Sequence, residues 1–292
     1  RKTMAGLPHF RDCLFEGQYP FAEITFRDEA FPGIVQLTSF NPLIPLNDKD
    51  SSLPAAFFMV EIENPTEKEI EYTVCLSVSN PHKNRTMNLF DQQNKLTMIK
   101  LCTELYEEDD PNFGDITVST DHDDISLQQY WYRGAWFDGL IAYWQDFCKP
   151  GKLQNRVYTE SLCFDSGLVE HHKREDTCSL AAHLVIGPGM RKSARFLITW
   201  NFPNCHNYWN PEKSSCDDSC KQKKPTIWKN YYATIFKDSK DSALYCFNNW
   251  DRLYEETLKF KNALFQSSMP KEVIEAVSAN ISILKTPTVL RL

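Results

Sequence analysis

Nowhere in the 292 residues is there a run of the roughly 18 consecutive apolar side chains that a membrane-spanning helix needs. Residues 1–10 hold no apolar signal-peptide core, although a chain opening at Arg1 leaves a leader in a longer precursor open. Basic runs are missing as well. With 32 Lys and Arg against 39 Asp and Glu, the formal charge is −7, so the chain has no means of releasing counterions from a nucleic acid and would be repelled by an anionic bilayer. Cysteine is thin: ten residues, most of them single within apolar runs, as are Cys75 in YTVCLSVS and Cys163 in ESLCFDS. That distribution excludes a disulfide-built scaffold and predicts buried thiols in a reducing, cytoplasmic setting. The sequons at Asn84 and Asn280 would then go unused.

Aromatic residues, by contrast, are plentiful: 19 Phe, 12 Tyr and 7 Trp supply enough planar surface for a thick core and for lining a groove. From Glu23 to about Phe247 apolar residues alternate with period two, the pattern of antiparallel strands with one buried face. Ala56, Phe58, Val60 and Ile62 share a face, and beyond the turn Pro65-Thr66-Glu67-Lys68 so do Ile70, Tyr72, Val74, Leu76 and Val78; the pair reads as a hairpin. A second pair joins Leu180, Ala182, Leu184 and Ile186 through Gly187-Pro188-Gly189 to Phe196, Ile198, Trp200 and Phe202. Burying these faces against one another predicts a mainly β fold, a large antiparallel two-sheet β-sandwich with C-terminal linker helices.

Three segments have helical spacing. Phe137, Leu140, Ile141, Trp144 and Phe147 form one amphipathic stripe inside the β region. After Asn248 the period changes, and Leu253, Tyr254, Leu258, Leu264 and Phe265 predict a helix from Trp250 to Phe265. Another begins at Pro270, with Glu272 near its positive dipole end and a stripe of Val273, Ile274, Val277, Ile281 and Leu284 that has no obvious partner. It reads as the opening element of a further domain, or alternatively as a terminal helix docked back on the sandwich.

At this point the sequence carries a specific likeness. EGQYPFAEITFRD (16–28), FPGIVQLTSFNPLIPLNDKDSSLPAAFF (31–58), FLITWNFPN (196–204), NYYATIFKDS (230–239) and LYEETLKFKNALFQSSMPKEVIEAVSANISILKTPT (253–288) resemble, in order, the N-terminal region of family 116 glycoside hydrolases. The family comprises β-glucosidases and glucosylceramidases. The resemblance implies a sandwich at 1–247, a helical linker at 248–268, and at 269–292 the first helix of an (α/α)6 catalytic domain. It also implies retaining chemistry by two carboxyl groups on that barrel, so no catalytic residue is expected before Leu292, and no cofactor. The sequence departs from the family where a Gly-rich segment would precede Arg1 and in the loop 204–224 (NCHNYWNPEKSSCDDSCKQKK).

Other constellations have competing readings. Glu107-Glu108-Asp109-Asp110 and Asp121-His122-Asp123-Asp124 lack the spacing of a calcium loop and read as solvated loops. Cys205, His206, Cys216 and Cys220 could supply four ligands to zinc, or else be loose thiols or one disulfide. His171-His172 would diverge on a strand. In the aromatic string around residues 130–147, Tyr130, Trp131 and Trp136 are the candidates for stacking on a sugar ring, the rest being core.

The reading is therefore a non-catalytic N-terminal domain of a retaining β-glycosidase that supports the catalytic barrel and shapes its active-site mouth. The alternatives are a stand-alone carbohydrate-binding module or a structural scaffold. Its partners would be its own (α/α)6 domain and, through it, a β-glucoside, with self-association through the terminal helix as a further expectation; nucleic acid and a membrane span are not expected.

Overall fold

In the computed structural model, residues 6–134, 138–149, 151–160, 176–206 and 227–285 are described. The chain opens with three antiparallel strands, β1 (Asp12–Gln18), β2 (Phe21–Arg27) and β3 (Ile34–Phe40). A short helical turn, α1 (Asp48–Ser51), precedes β4 (Ala55–Glu63) and β5 (Ile70–Ser79). Then come β6 (Thr86–Gln93), β7 (Leu96–Thr103), β8 (Asp115–Thr120) and β9 (Ile125–Gln128), followed by helix α2 (Asp138–Phe147). Strands β10 (Thr177–Ile186) and β11 (Arg191–Asn201) and a small ribbon of β12 (Asn204–His206) and β13 (Ile227–Lys229) lead to helices α3 (Ser239–Asn248), α4 (Trp250–Phe265) and α5 (Lys271–Ile281).

The expected two-sheet, mainly β architecture is present. An eight-stranded sheet, in the order β1-β2-β3-β4-β11-β8-β7-β6, faces a three-stranded sheet, β5-β10-β9, and every pairing is antiparallel. Between them lies a core containing Val35, Ile62, Ile99, Val118, Leu180, Leu184, Ile186 and Phe196. The other face of the large sheet packs under α3 and α4, where Phe40, Phe57, Met98, Leu197, Trp250 and Leu253 form a second core. Phe57 stands at its centre, with Phe40 stacked at 4.5 Å and Trp250 edge-on at 4.8 Å. The inner strands are thus buried on both faces, which is why β7 reads LTMIKLCT rather than as a clean alternation.

Both predicted hairpins are corrected. β4 belongs to the large sheet and β5 to the small one, and β10 and β11 are divided in the same way. The grouping into faces holds for β4, β5 and β10, where Phe58, Val60 and Ile62 meet Ile70, Tyr72, Val74, Leu76 and Val78 across the inter-sheet core. The predicted β11 stripe divides, Phe196 facing that core and Trp200 packing in the helix-side one. Alternation reports which side chains share a face, and a short polar connection can fold two strands over a core as readily as side by side. Asn64, fully buried, ties the two crossings together. Its Nδ2 donates to the carbonyls of Lys68 at 2.7 Å and Ile186 at 2.8 Å, while its backbone exchanges bonds with Met190 and Gly189 across the second crossing.

The β region also ends earlier than expected, because α3 starts at Ser239. Asp238 is its N-cap, accepting from the Asp241 N–H, and Lys100 sits between Asp238 at 3.2 Å and Asp115 at 3.1 Å. Ser239, wholly buried, anchors the helix to the sheet through Thr117 Oγ1 at 2.6 Å and the Thr199 hydroxyl, which donates to its carbonyl at 2.6 Å. Helix α2 covers the predicted stripe from Asp138 onward, and α4 has the predicted limits. In α5, Ile274 is buried and Ile281 half-buried, whereas Val273 and Val277 are 43% and 39% exposed, so the stripe is only partly covered.

Candidate functional site

The aromatic candidates lie over the outward face of the small sheet. Tyr130 is 4% exposed, its hydroxyl accepts the Asn88 N–H at 2.8 Å, and its ring meets Tyr158 edge-on at 5.5 Å. Arg133 stands over both rings and is held by Asp176 through Nε at 2.9 Å and Nη2 at 2.8 Å. Trp131 stacks flat on Tyr143 with centroids 4.3 Å apart, and its Nε1–H donates to Ser179 Oγ at 2.7 Å. One face of Trp131 and one of Tyr130 therefore already contact protein groups. Trp136 lies outside the described residues, as do His171 and His172.

Beneath these rings runs a ladder of hydroxyls that the sequence reading did not single out. Ser77 and Ser179 are 2.7 Å apart, Ser79 and Thr177 2.9 Å. His183, 3% exposed, has Thr73 Oγ1 at 3.0 Å from Nδ1 and Ser126 Oγ at 2.8 Å from Nε2. Burial pulls the His183 pKa below its ordinary value, against the pull of Asp124 and Glu71, which favours the neutral ring. Ser126 is itself 5% exposed and accepts the Leu153 N–H at 3.0 Å. The pair ties the sheet to the segment after α2 instead of offering a nucleophile to solvent. The outward positions of β5 and β10 alternate Thr73, Cys75, Ser77, Ser79 and Thr177, Ser179, which is the sequence signal for such a face.

The acidic run 121–124 lines a cleft of about 820 Å³ together with His183, Arg195, Trp250 and Tyr254. Its charges are compensated. Asp121 pairs with Arg195, which also reaches Asp251 at 3.1 Å and lies 5.1 Å from the Trp250 ring; Asp124 pairs with Lys152, and Asp123 lies 3.7 Å from Lys95. The run 107–110 is tied by backbone: Asn204 Nδ2 donates to the carbonyls of Glu108 and Asp110. Cys205 and His206 are successive residues of β12, so their side chains leave opposite faces, and the Cys205 thiol donates to the Trp228 carbonyl at 3.5 Å. Cys216 and Cys220 lie outside the described residues. Among the described residues no three His, Cys, Asp or Glu converge as metal ligands.

A general acid for glycoside cleavage needs a carboxyl whose pKa is raised. Here Asp28, Asp50, Asp91, Asp124 and Asp238 are all displaced downward. Asp50 shows how. Burial pushes its pKa up, but hydrogen bonds from Arg252 Nη1 (2.8 Å), Tyr245 Oη (2.7 Å) and Asn47 Nδ2 (2.7 Å) outweigh burial and hold the carboxyl below its usual range. In return the Tyr245 hydroxyl, by burial and by the adjacent carboxylate, is pushed up to about 12.

Asp50 sits in the connection between β3 and β4. Ile44 and Ser51 are reciprocally bonded there, the Ile44 N–H to Ser51 Oγ and the Ser51 hydroxyl to the Ile44 carbonyl, both at 2.9 Å. The braced loop carries Leu46 with φ of 64° and its side chain wholly in solvent. Beside it, a groove of about 1280 Å³ runs between the β1–β2 turn, Asn41 and helix α5. The family model described as "beta-glucosidase 2, glycosyl-hydrolase family 116 N-term" matches residues 3–253. The chain belongs to that family.

The family 116 N-terminal match thus takes in both sheets, α3 and the start of α4, while the rest of α4 and α5 lie past it. Among solved structures, one described as a kojibiose phosphorylase from human microbiome aligns at 10% identity with a TM-score of 0.38, over 84% of this chain. This chain spans only 23% of that one. No curated protein matches the sequence. Two features of this family 116 domain were not read from the sequence. The Asp50 hub left a trace in the Asn47-x-x-Asp50 spacing of a capped turn, but the left-handed Leu46 left none.

Proposed function

We propose that this chain is the non-catalytic N-terminal domain of a retaining β-glycosidase of the β-glucosidase and glucosylceramidase type, acting in the cytoplasm. It carries a helical (α/α)6 catalytic domain and helps to shape the mouth of its active site. The division proposed is a sandwich at 1–247, a linker at 248–268 and the first catalytic-domain helix at 269–292. The family match over 3–253 carries this reading. Two observations support it. The described carboxyl groups with displaced titration are stabilised as anions, the opposite of what an acid catalyst needs. Helix α5 also keeps Val273 and Val277 uncovered, as a helix seated between two domains would.

The test is the reading frame in the source gene. A coding region of several hundred residues beyond Leu292, strongly helical and holding an acid pair, is the expected result. An immediate stop codon would refute the proposal and return the chain to the class of free-standing binding modules.

A further inference from the structure

Leu46 combines two features that are each uncommon. A leucine with φ of 64° occupies the left-handed region, where its Cβ crowds the following carbonyl, and its side chain is as exposed as a leucine can be. Slack in the loop does not account for this. Asn47 Oδ1 accepts the Asp50 N–H at 3.1 Å, the Asp50 carboxylate is clamped by Arg252 and Tyr245, and Ser51 and Ile44 are mutually bonded. The fold therefore imposes both the unfavourable backbone and the bare side chain, and gains no burial in the domain itself. A rigidly presented apolar side chain is what an interface anchor requires, because little ordering remains to be done on binding.

The same end of the large sheet already receives residues from past the family match. Phe21 at the start of β2 pairs with Phe40 at the end of β3, so the β1–β2 turn lies beside the loop. In a groove lined by that turn, by Asn41 at the start of the loop and by α5 sits Ile274, 6% exposed, although α5 lies beyond residue 253. Two hydroxyls lining that groove, Tyr19 Oη and Ser267 Oγ, are buried without a hydrogen-bond partner. We infer that this end of the sandwich, with Leu46 as anchor and α5 as flank, is the seat of the catalytic domain of the same polypeptide. Leu46 enters an apolar pocket of that domain. The inference rests on the function proposed above and adds to it the contacting surface.

Maleimide labelling of a Leu46→Cys variant, read by peptide mapping, tests it in this chain and in the full-length native protein. Labelling should be fast in this chain and at least tenfold slower in the full-length protein; equal rates would overturn the inference. A Leu46→Gly variant separates anchoring from folding. Glycine relieves the left-handed strain, so the thermal midpoint of this chain should hold or rise, while the full-length enzyme should lose activity on heating at a lower temperature than its parent. A fall in this chain's own midpoint would also overturn the inference, since Leu46 would then serve the domain's own fold. A reading frame that encodes no catalytic domain refutes the function itself. A frame that encodes one, with the cysteine at position 46 equally reactive in both proteins, refutes only the seat.

Discussion

Replacing Asn64 by alanine should destabilise the domain through one side chain that touches no ligand. That side chain makes four hydrogen bonds: Nδ2 to the carbonyls of Lys68 and Ile186, and Oδ1 from the Thr66 N–H and hydroxyl. Three belong to the turn near the surface, where water can replace them at a cost of about 0.5 kcal/mol each. The fourth satisfies Ile186, which is fully buried, and an acceptor left bare there costs about 1–3 kcal/mol. The backbone bonds of residue 64 to Met190 and Gly189 survive the substitution, so the expected loss is about 2.5–4.5 kcal/mol. Urea unfolding followed by tryptophan fluorescence should show the midpoint falling by about 1 M, with a slope near 3 kcal/mol per M for a domain of this size. Thr66→Val, which disturbs only the surface part, should cost less than about 1 kcal/mol. A loss below about 0.5 kcal/mol for Asn64→Ala would refute the view that this residue ties the two sheet crossings.

Asp50→Asn should cost about 2 kcal/mol at pH 7, toward the low end for a buried ion pair because Arg252 is partly exposed. The Asp50 pKa is lower in the folded state than in the unfolded chain, so its contribution is complete above the unfolded value near 3.9 and is lost as pH falls through the folded one. The stability gap between parent and variant should therefore close below about pH 4; a gap of equal size at pH 3 and pH 7 would contradict the hub. Iodoacetamide should alkylate the exposed Cys13 and Cys148 in the native protein and leave Cys178, fully buried with its thiol pushed up to about 12, until unfolding. Modification of Cys178 at the rate of Cys13 would show that the inter-sheet core is open. In hydrogen exchange, α5, whose one buried side chain is Ile274, worth about 1.5–3 kcal/mol, should exchange well before β5; equal protection of the two would mean that α5 is an integral part of the sandwich.

Faces were legible in the sequence and partners were not. The stripes in β4, β5 and β10 were assigned to the right core because period two is a property of the single strand. Whether β4 lies beside β5 or across from it depends on β3 and β11, which compete for its edges from far away in sequence, and nothing in Pro65-Thr66-Glu67-Lys68 records that competition. Helix α4 was legible end to end because its stripe is long. Helix α3 was hidden because Ala243, Tyr245 and Phe247 mimic alternation, although Asp238-Ser239-Lys240-Asp241 carries an N-cap signal. At the candidate sites, residue type named Tyr130 and Trp131 but could not show their rings meeting Tyr158 and Tyr143, a contact made by the long β9–β10 connection. Of the four residues read as a zinc set, Cys205 and His206 leave opposite faces of β12, and Cys216 and Cys220 lie outside the described residues.

The central claim is that this domain supports a glycosidase without performing the cleavage, and the most direct measurement is hydrolysis of an aryl β-glucoside by the purified 292-residue chain beside the full-length protein. The account predicts release of the aryl group by the full-length protein and none above background by this chain at any pH from 4 to 8 (roughly the span over which a tuned carboxyl pair operates). Turnover by this chain, abolished when one of its own Asp or Glu residues is changed to the amide, would contradict it.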